Sequence, residues 1–168
     1  MPESPDPADG RAALLGFTAM EFRRVARMNK HQLWSICVAW CRDRTAAAAV
    51  LSRGLTLAWS SVEGHPAHFL SGDSPVSRRL TETVYRCVLD AASDSLAADR
   101  ARAGAAPGTA DEDAHSALSA KEISLYIMVN YSLLPRSASC DLLDIPGDGD
   151  EILDRVTQVL LRDASRSR

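Results

Sequence analysis

The sequence predicts a mostly α-helical bundle, and three observations lead there. Apolar residues recur at helical spacing over much of the chain. A serine and a threonine each stand three residues ahead of a glutamate, the chemistry of a helix N-terminus. A long run over 31–53 is apolar on every side, which in a helix means burial. With 168 residues, of which 46% are hydrophobic and 24% charged, the chain suffices for one ordinary domain. That composition excludes a wholly disordered chain and a collagen-like or coiled-coil fibre.

Residues 1–10, MPESPDPADG, hold three prolines and three acids. They are expected to form a disordered tail. They lack the basic and apolar regions of a signal peptide. The first helix is placed over about 18–28. Thr18-Ala-Met-Glu21 fits the capping box, with Phe17 and Phe22 as the hydrophobic staple that fixes the entry of the chain. The apolar helix over about 31–53 follows, carrying Leu33, Trp34, Ile36, Cys37, Val38, Trp40 and Cys41, with Gly54 as its stop. Over 55–70, Leu55, Leu57 and Trp59 alternate with smaller residues before Glu-Gly-His-Pro breaks the pattern. A short hairpin and a long connection fit this segment equally well.

Ser74-Pro75 supplies an N-cap and a first-turn proline for a helix running to about 100, with Val76, Leu80, Val84, Cys87 and Ala91 on one face. Residues 101–115 are rich in Ala, Gly and acid and read as a flexible linker between an N-terminal helical region, 11–100, and a C-terminal segment, 116–168, packing on the same core. Ser119-Ala-Lys-Glu122 is the second capping box, with Leu118 and Ile123 as its staple. The following residues alternate like a strand, but the box and the length to Leu134 favour a helix, ended by Pro135. A short helix over 137–143 is expected next. Asp148-Gly-Asp-Glu151 is a looser box, and Ile152, Leu153, Val156, Val159 and Leu160 mark an amphipathic helix to about 163.

The chemistry is sparse. Cys37 and Cys41 share a helix face, with His31 one and a half turns earlier, but zinc needs four ligands, usually from two close pairs. Cys37, Cys41, Cys87 and Cys140 therefore read as reduced core thiols of an intracellular protein. His65 and His68 have no second pair nearby. Asp144, Asp148, Asp150 and Glu151 fail the spacing of a calcium loop and suit a helix N-terminus instead. No Gly-x-Ser-x-Gly elbow or phosphate-cradling glycine loop is present. No cofactor, metal or catalytic residue is expected, and no transmembrane helix. Charge is uneven: residues 11–53 carry eight bases and two acids, whereas 141–154 carry six acids and no base. Solvated helix faces are the usual explanation of such an imbalance, and a dipolar surface of this kind can also steer a partner protein.

Two separated segments resemble one family, the RNA polymerase stalk subunits, typified by the HRDC-like stalk protein of the archaeal enzyme and the fourth-subunit proteins of the eukaryotic nuclear enzymes. Phe17-Thr18-Ala19-Met20-Glu21-Phe22 is similar to its N-terminal L-[ST]-N-x-E-V motif, with Ala19 in place of the Asn. Leu118-Ser119-Ala120-Lys121-Glu122, then Asn130 and Leu134-Pro135-Arg136-Ser137-Ala138, resemble its HRDC-like C-terminal pattern. Here Glu122 to Pro135 is about one helical turn longer than that pattern, and residues 30–75 lie outside the resemblance.

The resemblance implies a non-catalytic subunit that forms a heterodimer with the OB-fold stalk subunit and assists transcription, in the nucleus if eukaryotic and otherwise in the cytoplasm. RNA would be met mainly through the partner. Phe17, Glu21, Phe22 and Val25 would form the partner-binding surface, with Thr18, Ser119 and Glu122 as structural caps. Converting Phe22 to Asp is then expected to break the complex while leaving the C-terminal helices folded. The principal alternative is a helical adaptor or apoptosis-type bundle that binds an amphipathic peptide of a partner protein. A ligand-binding bundle and a small enzyme rank behind it.

Overall fold

A computed structural model of the chain describes residues 7–41, 43–71, 74–102, 118–132 and 134–166. These residues form eight helices and no strand: α1 Pro7–Met28, α2 Lys30–Cys41, α3 Arg44–Gly64, α4 Pro66–Leu70, α5 Val76–Arg102, α6 Ala120–Tyr131, α7 Arg136–Leu142 and α8 Asp150–Arg166. The mostly α architecture is as the periodicity predicts. Most of the linker predicted over 101–115 lies outside the described residues, and its first two residues belong to α5.

Helix α5 is the hub. It packs against α1, α2, α3, α4 and α7, and most extensively against α3. The reason lies in α3, whose inward residues Ala47, Val50, Gly54, Ala58 and Val62 are nearly all small and follow a spacing of three or four. A stripe without bulky side chains lets two helices approach closely along their i±4 ridges. At the closest point, a Cβ added to Gly54 would lie 2.7 Å from the Val88 Cα. Gly54 is therefore buried mid-helix, and the stop assigned to it from the sequence is wrong. Nor does any hairpin form over 55–70, where α3 continues to Gly64 and Pro66 opens α4.

The single long helix expected over 31–53 is instead two. Asp43 takes an extended conformation (φ −114°, ψ 133°), and its Oδ2 accepts a hydrogen bond from the Ala46 N–H at 2.7 Å. That is an N-cap satisfying one of the amides a helix start leaves unpaired. The apolar residues running past it on both sides concealed it.

Helix α1 also departs from expectation. It starts eleven residues earlier than Thr18, and residues 7–10, assigned to the tail, are helical. Thr18 is buried inside the helix, and its Oγ1 donates back to the Leu14 carbonyl rather than accepting from an amide. It caps nothing. Between α1 and α2 the chain turns at Asn29, whose Nδ2 donates to the Val25 carbonyl at 2.9 Å. The buried Tyr85 hydroxyl of α5 donates to Asn29 Oδ1 at 3.1 Å, tying the corner to the hub.

The C-terminal helices attach through α6, which packs on α2, α7 and α8. Leu125 and Met128 of α6 join Leu33, Ile36 and Cys37 of α2 in one core cluster with the residues of α5. Trp40 Nε1 adds a hydrogen bond to Ser124 Oγ at 2.9 Å. The capping box at Ser119 forms as predicted: Ser119 Oγ accepts from the Glu122 N–H, and Glu122 Oε2 accepts from the Ser119 N–H at 2.7 Å. Glu122 is nearly buried, and its Oε1 meets Arg155 of α8 at 3.1 Å.

Glu122→Ala should thus lose a reciprocal cap and an anchor of α8 together, costing about 1–2 kcal/mol in urea unfolding. Because Arg155 is largely exposed, the ion pair supplies the smaller part. Glu122→Gln, which keeps the cap hydrogen bond, should retain more than half of that stability.

Helix α6 ends at Tyr131, short of Leu134, with Ser132 as its C-cap. Pro135 precedes α7 as its N-cap and does not terminate α6. A proline disfavours helical conformation in the residue before it, which keeps α6 and α7 separate. Before α8, Gly147 and Gly149 adopt φ of +77° and +72°, the left-handed region glycine occupies without strain. The box proposed at Asp148 is a tighter turn, in which Asp148 Oδ1 accepts from the Asp150 N–H at 3.1 Å, and it lies two residues before the helix begins.

Candidate protein-binding surface

Helix α1 has two unlike faces. Thr18, Phe22, Val25 and the adjoining Asn29 point inward and are buried, the Phe22 ring lying 5.4 Å from that of Trp59 on α3. Leu14, Phe17, Met20 and Met28 point outward and are 41%, 46%, 56% and 54% exposed. Among the described residues, no helix covers them. Of the residues predicted to bind a partner, Phe17 thus stands on the surface, whereas Phe22 and Val25 are consumed by the chain's own core. Glu21 lies half-buried between the two faces, its carboxylate 3.7 Å from Arg24.

Arg23, Arg24 and Arg27 lie on the outer side of the same helix, all three exposed. Met20, Arg24 and Arg27 stand at i, i+4 and i+7, so cation and thioether share a face. Gly16, Ala19 and Met20, with Arg23, Arg27 and Met28, border a shallow depression of about 570 Å³. The arrangement offers apolar area for burial and cations that select the sign of what approaches. Sequence reasoning overlooked Met20 and Met28, although each is a large apolar residue on the side of α1 away from Phe22.

A second depression, about 450 Å³, lies between α5 and α7. Arg78, Glu82, Arg86 and Asp90 face Asp141 and Asp144 across it. Arg78 Nε already meets Glu82 Oε1 at 3.2 Å. Two arginines and four carboxylates around an open depression describe a solvated seam between helices.

The thiols occupy varied depths. Cys37 and Cys140 are buried, Cys41 and Cys87 half-buried, and all four are free. His31 is exposed, away from the buried Cys37. Among the described residues, no group of three His, Cys, Asp or Glu side chains is placed to hold a metal ion. Burial raises every cysteine above the ordinary thiol range, nearby aspartates adding to the effect at Cys41, Cys87 and Cys140. Thiols held neutral are poor nucleophiles. Asp148 is shifted the other way, its carboxylate favoured by the backbone hydrogen bond from Asp150.

Cys37 makes this measurable. Burial, reinforced by the neighbouring Cys41 thiol, pushes it from 9.0 up to about 12. The folded thiol resists ionisation while the unfolded one ionises near 9. The stability gained by keeping it neutral is therefore whole below about pH 9 and is lost as the pH climbs toward about 12. Urea melts should show a decline of roughly 2 kcal/mol between about pH 9 and about pH 11 from this group. Cys37→Ala should flatten that slope; an unchanged slope would refute the assignment.

None of the described helices is long and apolar enough to cross a membrane. In comparisons with known proteins, no family model matches the chain, and neither curated proteins nor solved structures give a match.

Proposed function

We propose that this chain is a non-catalytic helical adaptor that works by docking a partner protein on the outer face of α1. One observation carries the reading: four large apolar side chains, Leu14, Phe17, Met20 and Met28, stand exposed on a helix whose opposite face is sealed into the core. Apolar groups scattered singly over a surface need no explanation, but a series along one helix marks an interaction site. The inner face fixes the helix in place, so the outer face is presented rigidly and little ordering cost is left for binding.

A second reading, the RNA polymerase stalk subunit, is favoured by a different observation. The box at Ser119 opens α6, Pro135-Arg136-Ser137-Ala138 opens α7, and the amphipathic α8 closes the chain. That is the order of the HRDC-like pattern that the sequence resembles. The OB-fold stalk subunit would then be the partner, in the nucleus or cytoplasm according to the cell.

Purification of the tagged full chain from its native cell tests both. Recovery of one non-polymerase protein in near-equal amount supports the adaptor, and recovery of polymerase subunits supports the stalk. A tagged chain recovered in good yield without any stoichiometric partner overturns both.

A further inference from the structure

We infer that the partner element seated on α1 is an amphipathic helix whose apolar stripe is flanked by acidic residues. The inference rests on the docking reading and adds the chemistry of what docks. From its first to its last exposed apolar residue, the outer face changes character. Leu14 and Phe17 present apolar area alone, whereas Met20 and Met28 are interspersed with Arg23, Arg24 and Arg27. Glu21, the acid on this stretch of α1, is half-buried and faces Arg24, so the surface stays basic.

Apolar burial supplies affinity in such an arrangement, while the arginines set sign, register and association rate. The methionines, unbranched and polarisable, adapt to the shape of an apolar stripe. A basic apolar helix also suits an anionic bilayer. Here, however, Arg24 stands within the apolar face while Arg23 and Arg27 border it along the Met20 edge, and the inner face is locked into the core. A cation in the middle of the face would have to enter acyl chains, whereas a carboxylate on a partner helix can meet it. Guanidinium groups at a surface favour bidentate pairing with carboxylate.

The test uses the full chain and three labelled synthetic helices in fluorescence anisotropy. One carries leucines at i, i+3, i+4 and i+7 with glutamate flanks, one the same stripe with lysine flanks, and one the acidic composition scrambled. Saturable binding of the first alone is expected. The double variant Phe17→Ala/Met20→Ala should weaken it at least about tenfold with an unchanged thermal melt. Arg23→Glu/Arg24→Glu/Arg27→Glu should abolish it and confer binding of the lysine-flanked helix.

Equal binding of the scrambled peptide, indifference to the Phe17/Met20 change, or preference for phosphatidylserine vesicles over the peptide would overturn the inference. So would a dimer in sedimentation that Phe17→Asp dissolves, since a second copy would then be the occupant. The two levels separate cleanly. Absence of any native partner sinks the docking function, whereas a native partner still retained by the triple arginine variant sinks only the acidic-helix assignment.

Discussion

Gly54→Val should cost the fold about 3 kcal/mol or more, seen as a lower urea midpoint with an unchanged slope. Two effects of opposite sign compete. A glycine inside a helix is intrinsically worse than alanine by about 1 kcal/mol, so substitution alone would help. Against this, the new Cβ would meet the Val88 Cα and Cγ2 at 2.7 Å, a separation that real contacts do not show. A side chain can rotate away, but a backbone atom moves only if α3 and α5 part, and theirs is the most extensive helix pairing among the described residues. The clash wins. Gly16→Ala provides the control, since a Cβ there meets nothing within 4 Å. It should be neutral or stabilising by up to about 1 kcal/mol. A valine at 54 that left stability intact would mean that the two helices are not in register as described.

Phe22→Asp should be comparably severe, about 3–5 kcal/mol, because it places an unpaired carboxylate in the core. Phe22 is 9% exposed and stacks at a tilt on Trp59, and it belongs to the same cluster as Leu33, Leu80 and Leu125. Circular dichroism should therefore show both halves losing structure together, contrary to the sequence-based expectation that the C-terminal helices survive. Phe17→Asp, five residues away, should cost no more than about 1 kcal/mol, because nearly half of its surface (46%) is already exposed and no buried site is left with an unpaired charge. The pair separates a core phenylalanine from a surface one by thermal melting. If both variants melt like the parent, the placement of α1 is refuted.

The contrast explains how much of the docking surface was legible. Phe17 and Phe22 both flank the Thr18-Ala-Met-Glu21 pattern, and as a staple they would share one role. Inside a continuous helix they lie on different faces, five positions and roughly 500° of rotation apart. Recognising that the helix begins at Pro7 and not at Thr18 is what assigns them.

The strand-like alternation at Leu55, Leu57 and Trp59 misled for a related reason. Leu57 lies on the exposed side of α3, where an apolar residue carries no structural meaning. The informative signal was the four-residue spacing of Val50, Gly54, Ala58 and Val62. Small residues carry little hydrophobic weight, so that stripe was easily overlooked.

By itself the sequence determined the helical class, the cap at Ser119 and the amphipathic α8, because each depends on residues within one or two turns of one another. Side-chain reach and helical periodicity are local quantities. Tertiary structure alone decided that Gly54 is a contact point instead of a stop, and that Thr18 bonds backward to Leu14. It also decided which phenylalanine faces water. Those outcomes depend on how near α5 comes to α3 and α1, and a separation between distant segments is written in no short stretch of chain.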